Sequence, residues 1–321
     1  MKEVTFINKN AKKWENFEAI IDKKDGYDAD EVSSYYIKLT DNLAYAKTYY
    51  PDSKVTVYLN QLARKAHQAI YRNKKVTKGR VITFWTDELP LINYKFRRFF
   101  LYALIFFTVS MAIGFISVQD DLSFVRMVMG DGYVNMTIEN IKAGDPMAVY
   151  HRDPAMDSFL SIAYNNIRVS FSAFFFGLFF SLGTIIVMFL NGLMLGAFNA
   201  FLFQYGVLGQ ASMSIWVHGT IEISVIIIAG GAGLLLGKSI FFPGTYKRGT
   251  SFQYGVRNGV KIIIGLMPLF IFAALLEGFV TRYTQMPIPV SLAIIFASLA
   301  FIIWYFVLFP QQKHKKLTTN G

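Results

Sequence analysis

The sequence predicts an all-α protein, a polytopic transmembrane helical bundle of about six spans with an N-terminal cytoplasmic helical domain. Two observations carry this. After Arg98 the chain runs through apolar blocks long enough for a bilayer core, which takes about 20 helical residues. Before that point it is polar, with 19 Lys and Arg against 12 Asp and Glu, and its apolar residues recur at helical spacing. Over the 321 residues 54% are apolar and mean hydropathy is +0.37, above what a soluble domain needs.

Residues 1–80 read as the helical domain. Trp14, Phe17 and Ile21 suggest a first helix over 8–23. Val32, Tyr36, Leu39, Leu43, Ala46 and Tyr50 alternate steps of four and three in a second, with Asp28 and Glu31 as a capping pair at its start. Tyr50-Pro51-Asp52 breaks the chain, and Val55, Leu59, Leu62, Ala66 and Ile70 repeat the pattern in a third. A domain of about 75 residues is marginal alone, so docking on the membrane domain or a soluble partner is expected. Residues 81–98 follow: Val81, Phe84, Trp85 and Leu89 beside Lys95, Arg97 and Arg98 suit an interfacial elbow on the inner leaflet, an ordinary fourth helix being the alternative. Met1 to Asn16 is charged, so no secretory signal is expected.

The transmembrane domain is expected over 99–310, with spans near 99–118, 168–190, 192–208, 215–237, 259–279 and 290–309 and a tail over 311–321. Asn191-Gly192 joins two spans with almost no loop, and a re-entrant hairpin is the alternative there. The loop 119–157 carries Arg126, Lys142 and Arg152 against seven acidic residues, with helical fragments at Leu122–Met129 and Val134–Ile141 that would cap the outer face. Lys95, Arg97, Arg98, Lys238, Lys247, Arg248, Arg257, Lys261, Lys313, Lys315 and Lys316 all flank the other ends of spans. The positive-inside rule then puts both termini in the cytoplasm and the acidic loop outside, in a multi-pass inner-membrane protein. The net charge of +11 needs no nucleic acid, because anionic lipid headgroups account for it.

Four ionisable side chains interrupt the spans: Arg168, His218, Glu222 and Glu277. Charge in hydrocarbon is costly, so such groups tend to face a bundle interior and mark a site. The topology puts all four in the outer half of the bilayer, and a spacing of four places His218 and Glu222 on one helical face. A network that merely ties helices together is the structural alternative. Ala229-Gly233-Gly237, Gly192-Gly196-Ala200 and Gly255-Gly259 are small-residue rows that let helices approach, whereas Gly219 beside His218 offers bare backbone to a ligand. With no cysteine, thiolate metal sites and cysteine nucleophiles are excluded. A metal held by His218, Glu222 and Glu277 is a disfavoured alternative, since no HExxH spacing or dense histidine cluster supports it; no cofactor motif is present, and no Ser or Asp is placed as a nucleophile beside His218.

A series of polar motifs adds to this reading. Asn165-Asn166-Ile167-Arg168 is followed by Asn191-Gly192-Leu193-Met194-Leu195-Gly196, then by His218-Gly219-Thr220-Ile221-Glu222. Pro243-Gly244 ahead of Arg248 and Leu275-Leu276-Glu277-Gly278-Phe279-Val280-Thr281 complete the order. This resembles the stage II sporulation protein M family of bacterial and archaeal polytopic membrane proteins over about residues 95–310. The resemblance implies a bacterial inner-membrane protein. In spore formers the namesake works with peptidoglycan-cleaving partners, whereas the extension before residue 95 is similar to that of non-sporulating members, whose operons carry an ATPase of the MoxR type. The family has no agreed catalytic residues, so only motif positions transfer: Asn165, Asn191, Gly192, Gly219 and Arg248 beside the four ionisable groups. The expectation is a non-enzymatic subunit of a cell-envelope complex, bound to lipid and to an envelope or cytoplasmic protein. The alternatives are a proton- or cation-coupled transporter using the glutamates and, less favoured, a hydrolase built on His218 and Glu222.

Overall fold

The computed structural model describes residues 1–21, 29–72, 79–118, 122–151, 154–283 and 286–319, and the chain divides into two compact units, Met1–Arg80 and Val81–Gly321. Asp28, Arg152 and the side chains of Glu31, Val32 and Ile70 lie outside the described residues.

In the first unit α1 (Glu3–Ile21), α2 (Ala29–Tyr49) and α3 (Lys54–Arg72) close on an aromatic core. Phe6, Trp14 and Phe17 of α1 pack with Leu39, Leu43 and Ala46 of α2 and Val55, Leu59, Leu62 and Ala66 of α3. The first helix starts earlier than its spacing predicts because Phe6 belongs to this core, 5.5 Å from the Trp14 ring and 5.1 Å from Tyr45. Pro51 stops α2, and the Ser53 hydroxyl restarts the chain by accepting the Val55 N–H at 3.2 Å, as an N-cap does.

Tyr58 and Lys65 both donate to Glu18, at 3.1 and 2.9 Å. The Lys65 ammonium holds the Glu18 carboxyl below its usual value, so this contribution to stability exists above the ordinary carboxylate range and is lost as pH falls through the lowered value. Burial, and then the bond to Glu18, pushes the Tyr58 phenol up to about 12. Its folded-state proton affinity exceeds the unfolded one, so stability is complete below pH 10 and drains as pH approaches about 12. Urea titrations of residues 1–80 should show this alkaline loss, and Tyr58→Phe should flatten it by about 1 kcal/mol once solvent screening is allowed for. An equally steep loss in Tyr58→Phe would assign it to other groups.

The second unit contains α4 (Arg80–Val118), α5 (Leu122–Met129), α6 (Asp131–Lys142), α7 (Ala155–Phe175), α8 (Leu182–Gln204), α9 (Leu208–Phe241), α10 (Arg248–Val280) and α11 (Ile288–Thr319). Among the described residues α4, α8, α9, α10 and α11 are the helices long and apolar enough to cross a membrane, five in all. The most apolar stretch of α9 is 78% buried against at most 50% in the others, so α9 is the axis around which the rest pack.

Residues 81–98 do not form a separate elbow but belong to α4. Trp85 donates to the Gly265 carbonyl at 3.3 Å, Tyr305 donates to the Trp85 carbonyl at 2.8 Å, and Glu88 pairs with Lys261 and Asp87 with Lys313. These contacts hold the aromatic stretch against α10 and α11. Pro90 is tolerated because Phe84–Glu88 is a π turn in which the Leu89 N–H reaches back to Phe84. The same device, Trp304–Leu308, precedes Pro310, so the expected tail continues α11 as a helix through Thr319. There His314 stacks on Tyr94 with centroids 4.0 Å apart.

The second and third spans also differ from their expected bounds. The turn between α7 and α8 lies at Phe176–Ser181, where Phe180 and Ser181 take φ of 56° and 67°. Asn191 and Gly192 sit inside α8, because the Asn191 amide donates to its own helix at the Val187 carbonyl and Gly192 lies against Phe107 and Ser110 of α4. The Asn-Gly pair therefore marks a close helix approach, not a bend. Gly114, Gly192 and Gly196 make the α4–α8 seam, and Gly233 packs on Gly177, Ala173 and Thr184. These are the predicted small-residue rows in use.

Although α7 carries Asp157, Asn165, Asn166 and Arg168, it runs the depth of the bundle. Its Phe159 meets Gly278, and Ser181 after its turn meets Gly237. In α10 the same depth separates Gly255, which lies on Ser239, from Gly278, a rise of about 34 Å. Six helices thus traverse the bundle, and Asp87 and Lys313 put the start of α4 and the end of α11 at one end of it. At the other end α5 and α6 pack through Val125 and Val134 on Phe201, Leu202 and Ile215. Gly130, with φ of 83°, makes the turn between them, and Arg126 ties it by donating to Asp131 and Asn135 at 3.0 and 2.9 Å.

Candidate functional site

Where α7, α9 and the end of α10 meet, three of the four expected ionisable groups converge. His218 and Glu222 project from one face of α9, as their spacing predicts. Glu277 reaches them from Leu276–Val280, a π turn closed by the Thr281 N–H on the Leu276 carbonyl at 2.8 Å. Such turns add a residue to a helix and re-aim the side chains on it. One ligand atom from each of His218, Glu222 and Glu277 lies within 4.8 Å of the others. The His218 Nε2 stands 3.6 Å from Glu277 Oε2.

The imidazole is oriented from behind. The Thr281 hydroxyl donates to the Leu276 carbonyl at 3.2 Å and accepts from His218 Nδ1 at 3.1 Å. Nε2, on the other side of the ring, faces the Glu277 carboxylate. Asn166, buried on α7, hydrogen-bonds the Glu222 carboxylate. Between α7 and the two glutamates lies a polar cavity of about 340 Å³ lined by Ser161, Ile162, Asn165, Asn166, Glu222 and Glu277. Burial and then the Glu277 carboxylate push the Tyr133 phenol up, so α6 stands within electrostatic reach of the cluster.

Arg168 does not join the network. It is exposed on α7, and its position two residues beyond Asn166 turns it about 200° around the helix from the inward face. Asn165 does line the cavity. Gly219 is buried in α9, and an added Cβ would meet Ile215 and Ile223 of the same helix at 3.8 and 3.9 Å, ordinary contact distances. Asn191 and Gly192 belong to the interior of α8. Arg248 opens α10 at the opposite end and lines a separate cavity of about 520 Å³ with Phe180, Ile240, Phe241 and Phe252. Thr281 and Asn166 are the functional partners absent from the expected set. The step of four from Glu277 to Thr281 was their one local signal, and the π turn alters even that spacing.

The hydroxyls of the site are spent on backbone. Ser161 donates to the Ser158 carbonyl at 3.1 Å and Thr281 to that of Leu276. Neither is presented to a base as a nucleophile is. One imidazole, two carboxylates and an amide come together here, groups that can bind a ligand.

Comparison with known families gives two matches. Residues 4–72 match a domain of unknown function, DUF8413, and residues 103–282 match Stage II sporulation protein M. Neither the curated proteins nor the solved structures yielded a match. The second match covers 180 of the 321 residues and contains His218, Glu222, Glu277, Asn166 and Thr281. This multi-span membrane protein, whose long apolar helices contact the lipid bilayer, belongs to the Stage II sporulation protein M family.

Proposed function

We propose that this protein is a non-enzymatic subunit of a cell-envelope complex in the bacterial inner membrane. Its bundle binds a lipid or protein group at the polar cavity, and its N-terminal helices engage a cytoplasmic partner. The carrying observation is the polar groove itself: Ser161, Asn165, Asn166, Glu222 and Glu277 line an open space where α7 meets α9 and the end of α10, and the Ser161 hydroxyl beside them is spent on backbone. Intramembrane ionisable groups are costly and persist where they bind something. Both termini are cytoplasmic in this reading. It rests on six traverses, together with Lys95 packed over Tyr254 at 5.0 Å and Lys313 on Asp87, which gather the basic residues at one end.

Affinity purification from native membranes after crosslinking should recover a discrete partner through residues 1–80. Capture of no protein by the full chain, or equal capture by a chain lacking residues 1–80, counts against the subunit reading. A second reading, cation-coupled transport, draws on the same cavity beside the acidic pair. It predicts proton or cation flux in proteoliposomes that Glu277→Gln abolishes.

A further inference from the structure

The geometry points to a divalent metal site of the zinc class formed by His218, Glu222 and Glu277, with a remaining position open to the polar cavity. This deepens the binding reading above and rests on it. Three features of the cluster suit a metal better than a simple hydrogen-bonded network. The first is spacing. Ligand atoms about 2.0–2.2 Å from a tetrahedral ion stand about 3.4 Å apart. The 3.6 Å between His218 Nε2 and Glu277 Oε2 is close to that edge and too long for a hydrogen bond.

The second is orientation. Thr281 holds the imidazole through Nδ1, which leaves Nε2 as the ring nitrogen on the side of Glu277. A histidine held through its far nitrogen, with a carboxylate anchored by the Asn166 amide, is the outer shell that metal ligands have. The third is charge and access. Arg168 is exposed, so it does not neutralise the two carboxylates. A divalent ion neutralises both at once, and the cavity of about 340 Å³ supplies a water for the open position and a path for entry. The donors are nitrogen and oxygen without sulfur, which suits zinc or manganese and disfavours copper(I).

The test uses the full chain in nanodiscs, stripped with chelator and titrated with Zn²⁺ or Mn²⁺ alone by calorimetry, with metal content after dialysis as a second readout. One ion per chain is expected. His218→Ala and Glu277→Gln should abolish stoichiometric binding, and Thr281→Val, which keeps all three ligands, should weaken it about 10- to 100-fold. X-ray absorption should find a nitrogen and oxygen shell. No stoichiometric ion in the wild-type chain, or binding that survives His218→Ala and Glu277→Gln together, overturns the site. Should those variants fail to fold, the wild-type titration and Thr281→Val decide it. Partner capture by a wild-type chain that binds no ion would overturn the metal and leave the subunit reading intact.

Discussion

Gly196→Leu is expected to leave little folded membrane domain. A Cβ at residue 196 would overlap the Met111 carbonyl, the closest approach in the seam, and Cβ atoms at Gly114 and Gly192 would crowd the Leu193 and Phe107 carbonyls. The obstacle is main chain on both sides, which cannot rotate away as a side chain can. Overpacking a close seam costs about 1–3 kcal/mol when neighbours can yield, and the cost is larger where they cannot. In a bilayer the seam is held by close contact rather than by hydrophobic exclusion, so its separation is not compensated. Detergent-solubilised Gly196→Leu should elute as aggregate and lose its cooperative melt. Gly132→Ala is the control, since nothing stands within 4 Å of its Cβ position. It should melt as the wild type does or slightly higher, because alanine favours helix by about 1 kcal/mol.

The second large effect is expected on function without loss of fold. Glu222→Gln preserves shape and can keep a bond to Asn166, yet it removes one of the two carboxyl groups lining the cavity. Complementation of a deletion strain should fail, while membrane content stays within about twofold of wild type, as for a polar swap that opens no void. Arg168→Ala should have a smaller effect, since that side chain lies off the network. Equal loss in both variants would return Arg168 to the site. Full complementation by Glu222→Gln would make the cluster a structural tie.

The contrast between Arg168 and Asn166 explains what the sequence could and could not disclose. Helix class, the five long apolar helices and the shared face of His218 and Glu222 follow from hydropathy and a period of 3.6 residues, which are local properties, whereas the span expected over 168–190 straddles the turn that follows α7 (Ala155–Phe175). Whether residue 166 or 168 faces inward depends on how α7 is rotated against α9, and the pattern Asn165-Asn166-Ile167-Arg168 is polar on nearly every side. Local pattern also misread Asn191-Gly192. A turn and a close helix crossing both favour small residues there, and only the facing Phe107 and Ser110 decide between them. The aromatic stretch before Pro90 looked interfacial for a similar reason, because its partners Gly265, Lys261 and Tyr305 lie more than 170 residues away. Glu277 was legible as a charge in a span, but its aim toward His218 depends on the π turn at Leu276–Val280.

Convergence of α7 with the end of α10 is what assembles the cavity, and paired cysteines measure it directly in a chain that has none of its own. A Cβ at Gly278 would stand 3.0 Å from that of Phe159, within easy adjustment of disulfide geometry. Phe159→Cys with Gly278→Cys should crosslink under mild oxidant in native membranes. A double variant that reaches the membrane at the wild-type level yet forms no crosslink between 159 and 278 would mean that the wall of the cavity is misplaced, and the binding site with it.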